Sequence, residues 1–162
     1  MGMQQGYKRP FAVTLLYILL AFLGLGAIGG GSVLIIDPSG EMIGMPVSLL
    51  ERSPFSNYLL PGILLLLVFG FLPMLVIYGL VKRPEWKFAD TLNPFKERHS
   101  SWALSLYIGF GQIIWIMVET YMVNAVEFIH VFYMSLGLLI QVVTLLPVVQ
   151  RYFVLDDAAE RR

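Results

Sequence analysis

Four long apolar stretches separated by short polar gaps dominate this 162-residue chain, and ten of its eleven Lys and Arg residues fall in alternate gaps. A helix that crosses about 30 Å of hydrocarbon needs roughly 20 consecutive apolar residues. Segments 11–36 and 59–81 meet that length without a charge; 101–123 carries only Glu119, and among acids, bases and histidines 128–150 carries only His130. The runs are continuous in Leu, Ile, Val and Phe and lack the alternation of a β-barrel strand. The expected fold class is an all-α membrane protein, with four transmembrane helices in an antiparallel bundle.

Orientation follows from the cations, because short cytoplasmic loops retain Lys and Arg during insertion. Lys8 and Arg9 precede the first segment; Lys82, Arg83, Lys87, Lys96 and Arg98 follow the second; Arg151, Arg161 and Arg162 follow the fourth. The intervening gaps hold only Arg52. Both termini are expected in the cytoplasm, in a bacterial inner membrane. The zero net charge conceals this segregation. A basic loop suits the anionic inner leaflet, so the lipid bilayer is the expected partner and nucleic acid is not. Trp86, Phe88, Phe95 and Trp102 flank that loop as expected interfacial anchors. The first apolar run is too long for a signal-peptide core and no A-x-A site closes it, so it reads as a retained span. No gap is long enough to fold separately, and residues 1–162 read as one transmembrane domain.

The chain has no cysteine, which excludes thiol relays, disulfides, iron–sulfur clusters and thioether-linked haem. The two histidines, His99 and His130, are placed at opposite membrane faces by this topology and cannot share one haem iron. The cofactor is left open: a His/Met haem pair is compatible with the eight Met residues, although unbranched Met more often fills packing space.

Small residues predict how the helices meet. Gly26 and Gly30 form a G-x-x-x-G pair in the first span, a device that lets a second backbone approach closely, within the bundle or across a homodimer. Gly70 and Pro73 lie near the middle of the second span, where Pro73 removes the hydrogen bond to the Phe69 carbonyl and a kink is expected. Steps of four and three in the third span place Ser105, Gly109, Gln112, Ile116 and Glu119 on one face. The fourth repeats the pattern with Glu127, His130, Met134, Gly137 and Gln141. Two neighbours with small and polar stripes turn them toward each other and away from lipid.

These stripes supply the candidate site. Gln112 and Gln141 lie near mid-membrane and are expected to bond across the interface. Glu119, one rise of about 10 Å outward of Gln112, is expected to converge with Glu127 and His130. Two carboxylates and an imidazole can relay protons or orient a polar head group. They are too few for a closed zinc site, and no metal is expected.

The first loop opens with turn chemistry at Asp37-Pro38-Ser39-Gly40, and Pro46 and Ser53-Pro54 read as starts of short helical turns. Its Met42, Met45, Leu49, Leu50 and Phe55 predict an ordered outer-face loop that folds back as a cap or a lid. Asp37 adds a further acid on that side.

The D-P-S-G-x-x-x-G-M-P loop from Asp37, the S-P-F-x-x-Y-L-x-P-G run from Ser53, H-S-S-W from His99 and E-T-Y from Glu119 resemble a family of small, uncharacterised bacterial four-helix integral membrane proteins. The Gly-rich first span and the loop after it are more loosely similar to DoxX-like proteins. The resemblance implies the architecture and brings no activity or site with it. The expected role is a non-enzymatic accessory or interaction subunit, or a binder of a lipid-like ligand, working with a membrane protein partner or as a homo-oligomer. The alternative is a small proton-linked transporter using Glu119, Glu127 and His130. A lipid- or quinone-linked enzyme stands third, because no nucleophile–base pair is visible.

Overall fold

The computed structural model describes residues 8–155, so Arg161 and Arg162 lie outside it. Four helices are long and apolar enough to cross a membrane: α1 (Phe11–Ile36), α2 (Leu59–Lys82), α4 (Ser100–Val123) and α5 (Phe128–Leu145). Two short helices, α3 (Lys87–Leu92) and α6 (Pro147–Tyr152), follow α2 and α5. Among the described residues the extended structure amounts to one isolated bridge between Arg98 and Val154.

α1 buries Val13, Leu16, Leu20, Leu23, Ala27 and Leu34, which recur at three- and four-residue steps and so share one face. The opposite face presents Ile18, Phe22 and Leu25 outward, as expected of a helix solvated by lipid. In such surroundings apolar side chains gain little by leaving lipid for protein, and close packing takes over as the cause of association. Glycine supplies it. A Cβ on Gly31 of α1 would stand 2.8 Å from the Gly62 carbonyl oxygen and 2.8 Å from the Leu66 nitrogen of α2. A Cβ on Gly70 would stand 3.3 Å from the Ile28 nitrogen, and one on Gly24 would meet the flexible end of Met74 and, at 3.1 Å, the Gly70 carbonyl oxygen. The close approach therefore uses Gly24 and Gly31, while Gly26 faces Tyr133 and Gly30 has only Leu65 nearby.

Pro73 has no N–H for the Phe69 carbonyl. Upstream of it the helix widens into π turns over Leu65–Phe71, with the Leu72 N–H reaching back to the Leu67 carbonyl. The expected deformation of α2 takes this form. α4 and α5 meet through Gly109 and Gly137, each of which would place a Cβ close to the other's carbonyl oxygen, at 3.0 and 3.2 Å. α5 stops at Leu145 and does not continue to Gln150. Leu146 is extended ahead of Pro147, whose ring disfavours a helical predecessor.

The larger core joins Leu16, Leu20, Val76, Leu80, Trp102 and Ile140 at the end of the molecule that carries most of the basic residues. Trp102 is an exception to its expected interfacial position: it is 1% exposed, and its indole N–H donates to the Thr144 carbonyl at 2.9 Å, satisfying a group near the C-terminus of α5. Arg83 clasps the chain after α6, donating to the Tyr152 carbonyl at 2.7 Å and lying over the Tyr152 and Phe153 rings. His99 caps α4: its Nδ1 accepts the Ser101 N–H at 3.2 Å, leaving Nε2 to face the Pro84 carbonyl at 3.1 Å. The opposite, loop end has only a small cluster of Leu34, Leu50 and Tyr58. The closely packed interior thus belongs to the basic end.

Gly31→Ala is expected to destabilise the protein by about 1–3 kcal/mol, because its Cβ meets backbone that cannot swing aside. Gly29→Ala, with nothing within 4 Å of the added carbon, should be neutral or stabilising by up to about 1 kcal/mol. Thermal unfolding in one detergent compares them; equal effects would remove the helix-contact explanation.

Candidate functional site

The loop end contains a cavity of about 510 Å³. α2 and α4 both line it, and Trp115 on its wall also meets Phe69 of α2, the ring centroids 5.5 Å apart. Pro61, Leu64 and Leu65 line it from α2; Gln112, Trp115, Ile116 and Glu119 from α4. α1 contributes Leu23, Gly26, Ala27 and Gly30; Gly26 lies against the Tyr133 hydroxyl of α5, while Gly30, with only Leu65 nearby, leaves room on the cavity wall. α5 adds Ile129, His130 and Tyr133.

The first loop forms the cavity's end wall with Ile43, Met45, Leu50 and Phe55. Its shape is set locally. The Asp37 carboxylate accepts the Ser39 hydroxyl, the Ser39 N–H and, at 2.8 Å, the Met42 N–H. Gly40, at φ 75°, passes so close to Tyr58 and the Met45 carbonyl that a side chain would collide. Tyr58 is buried, its N–H donating to the Pro38 carbonyl and its hydroxyl to that of Pro46. Burial first, and the neighbouring Glu119 second, push its phenol above the ordinary value of 10.0. Arg52 donates to the Asn124 side chain at 2.8 Å, joining the loop to the α4–α5 connection.

Of the sequence candidates, Gln112, Glu119 and His130 come together on the cavity wall. Glu119 stands one turn after Trp115 and shares the cavity wall with His130. His130 is 7% exposed, and its Nδ1 accepts the Glu127 backbone N–H at 2.9 Å. That bond fixes the orientation of the ring at the start of α5. Glu127 is exposed at the start of α5 and does not line the cavity; it acts on the site through its backbone, by orienting His130. Asp37 is likewise outside the lining, its carboxylate engaged by the turn.

The two mid-helix amides do not bond each other. Gln112 Oε1 and Gln141 Nε2 are both buried without a hydrogen-bond partner. The Gln112 stem lies over Gly137 and the Gln141 stem over Gly109, so each side chain runs past the opposing helix. Only Gln112 borders the cavity. Trp115, Tyr58 and Tyr133 also border it and were not among the sequence candidates. Trp115 stands one turn before Glu119, which was the available signal for it.

Among the described residues, no group of three or more His, Asp or Glu side chains is arranged to hold a metal. The cavity wall contains one carboxyl group, one imidazole, one amide and no Lys or Arg; the remainder is apolar or aromatic. Such a wall suits an apolar body with a small polar group.

Its hydrogen bonds, that from Ser39 foremost, hold the Asp37 carboxyl below its ordinary value of 3.8. A folded pKa below the unfolded one stabilises the loop above about pH 3.8, and this stabilisation is lost as pH falls through the folded value. NMR titration of the Met42 amide should therefore give a midpoint below 3.8, and the stability difference between wild type and Asp37→Asn should shrink as pH approaches it. A midpoint at or above 3.8 would show that these bonds do not favour the charged form. No family model, curated protein or solved structure matches the chain, so the case for its function rests on these residues.

Proposed function

We propose that this is a non-enzymatic, multi-pass membrane protein that holds a lipid-like molecule in the loop-end cavity. On this reading its four spans form an antiparallel bundle in a bacterial inner membrane, with the basic end in the cytoplasm and the loop end outside. The cavity of about 510 Å³ carries the proposal, since its size and sparse polar groups match those of small-ligand sites. The short connections and their contacts support the topology: Arg52 bonds Asn124 at one end, while at the other Arg83 bonds Tyr152 at the end of α6 and His99 bonds Phe153 just after it. The contrast of ten cations with one supports the orientation.

Native mass spectrometry from a mild detergent is expected to release a lipid-like molecule with the wild-type protein. In Gly30→Leu the new side chain would enter the cavity with only Leu65 near its Cβ, at 3.6 Å. Helix propensity favours this substitution by nearly 1 kcal/mol, so ligand retention should drop sharply in a protein that still folds. Undiminished retention in that variant would sink the reading.

A second reading rests on Glu119 and His130 sharing the cavity: a proton-linked transporter in which this pair exchanges protons with the outer face. In proteoliposomes, wild type should then pass protons faster than empty vesicles and Glu119→Gln should not. Equal flux in all three would dismiss a leak or channel through the pair.

A further inference from the structure

We propose that the occupant is one acyl chain of a bilayer phospholipid, admitted through the seam between α2 and α4 while its head group stays at the membrane surface. This rests on the cavity-binding reading above and names the ligand's class and its route. The cavity has the depth of one leaflet. Its wall runs from Leu23 to Leu34 on α1 and from Gln112 to Val123 on α4. Each stretch begins near the middle of its helix and covers eleven residue steps toward the loop end. At the helical rise this is about 16 Å, against roughly 15 Å for half of the hydrocarbon layer. A chain lying along the membrane normal therefore fits with one end near mid-membrane. The volume of about 510 Å³ lies within the range of drug-sized ligand sites, which gives room for one chain and leaves the rest of a two-chain phospholipid outside.

The seams around the cavity differ. α1 packs along α2, α4 along α5, and α1 against α5. α2 packs against α4 through residues 72–82, at the basic end, and Phe69 meets Trp115 just beyond. Nearer the loop, Leu64 of α2 and Val118 of α4 line the cavity and are also 36% and 41% exposed. In a membrane that exposed surface meets lipid, so an acyl chain passes between these side chains without leaving hydrocarbon. Ile43 and Ile129 also border the cavity and are exposed, but they stand at the loop end, where an apolar chain would cross water. On that side the Arg52–Asn124 hydrogen bond ties the loop to the α4–α5 connection.

The test uses phosphatidylcholine carrying one 9,10-dibromostearoyl chain, and 9,10-dibromo-octadecan-1-ol, each delivered by cyclodextrin to nanodiscs of unbrominated phosphatidylcholine. Bromine quenches tryptophan on contact, and Trp115 is the tryptophan on the cavity wall; subtracting the response of Trp115→Phe isolates its signal. The phospholipid should quench Trp115, and Gly30→Leu, whose new side chain enters the cavity, should remove most of that quenching. The rate of onset reads the route. The chain has no cysteine, so N-benzylmaleimide on Val118→Cys plugs the seam in a protein already folded and should slow the onset severalfold. Oxidising Arg52→Cys/Asn124→Cys to a disulfide, which closes the loop side, should leave the onset unchanged. Gly30-dependent quenching by the alcohol alone, or an onset that the label does not slow, would overturn this proposal and leave the cavity reading standing. No Gly30-dependent quenching by either probe would overturn both. The Val118→Cys comparison uses one protein before and after labelling, so it decides the proposal even where Gly30→Leu fails to fold.

Discussion

Backbone-to-backbone contact at glycine is the constraint on which this molecule depends. Surrounded by lipid, its apolar surfaces have little to gain from one another, so association must come from proximity that larger residues forbid. Gly31 with Gly62 brings α1 against α2, and Gly109 with Gly137 brings α4 against α5. Both contacts fix helices in pairs. The pairs then meet at the basic end, where Trp102, Leu80 and Ile140 fill the space, and they bound a cavity at the loop end. Large side chains do the joining where the pairs close, and small ones leave room where they separate.

Hydrogen bonds at the basic end tie separate elements together: Trp102 to Thr144, Arg83 to Tyr152 and His99 to Pro84. Buried polar groups in a native protein are normally paired. The unpaired ones are divided between that end, at Arg98 Nε and the Ser100 and Ser101 hydroxyls, and the α4–α5 contact, at Gln112 Oε1 and Gln141 Nε2. At the cavity, His130 is oriented by the Glu127 backbone N–H and shares the wall with Glu119.

The four crossing helices were legible because length and charge-free composition leave few alternatives in a chain like this. Three began within one residue of their expected positions and ended within one; the fourth ended at Leu145 because Pro147 imposes an extended predecessor, a local rule hidden inside an apolar run. The polar stripes of α4 and α5 were readable from spacing, since Gly109 does lie against Gly137. The glycines of α1 were harder. The first span holds five within the eight residues Gly24–Gly31, and spacing alone selected Gly26 and Gly30, whereas the face toward α2 is set by Gly24 and Gly31. Trp102 looked like an anchor because tryptophan near a basic loop usually is one; its burial depends on the break after α5 and the carbonyl this leaves for it. The cavity itself depends on how two helix pairs diverge, a tertiary property with no local signature.

The Arg52–Asn124 bond has a dynamic consequence. It ties together the two connections at the loop end by an exposed polar contact that competes with water and is cheap to open. Breaking it would release the first loop from the α4–α5 connection while leaving the glycine contacts between the helices intact. The mobility of the loop is thereby set apart from the stability of the helix pairs.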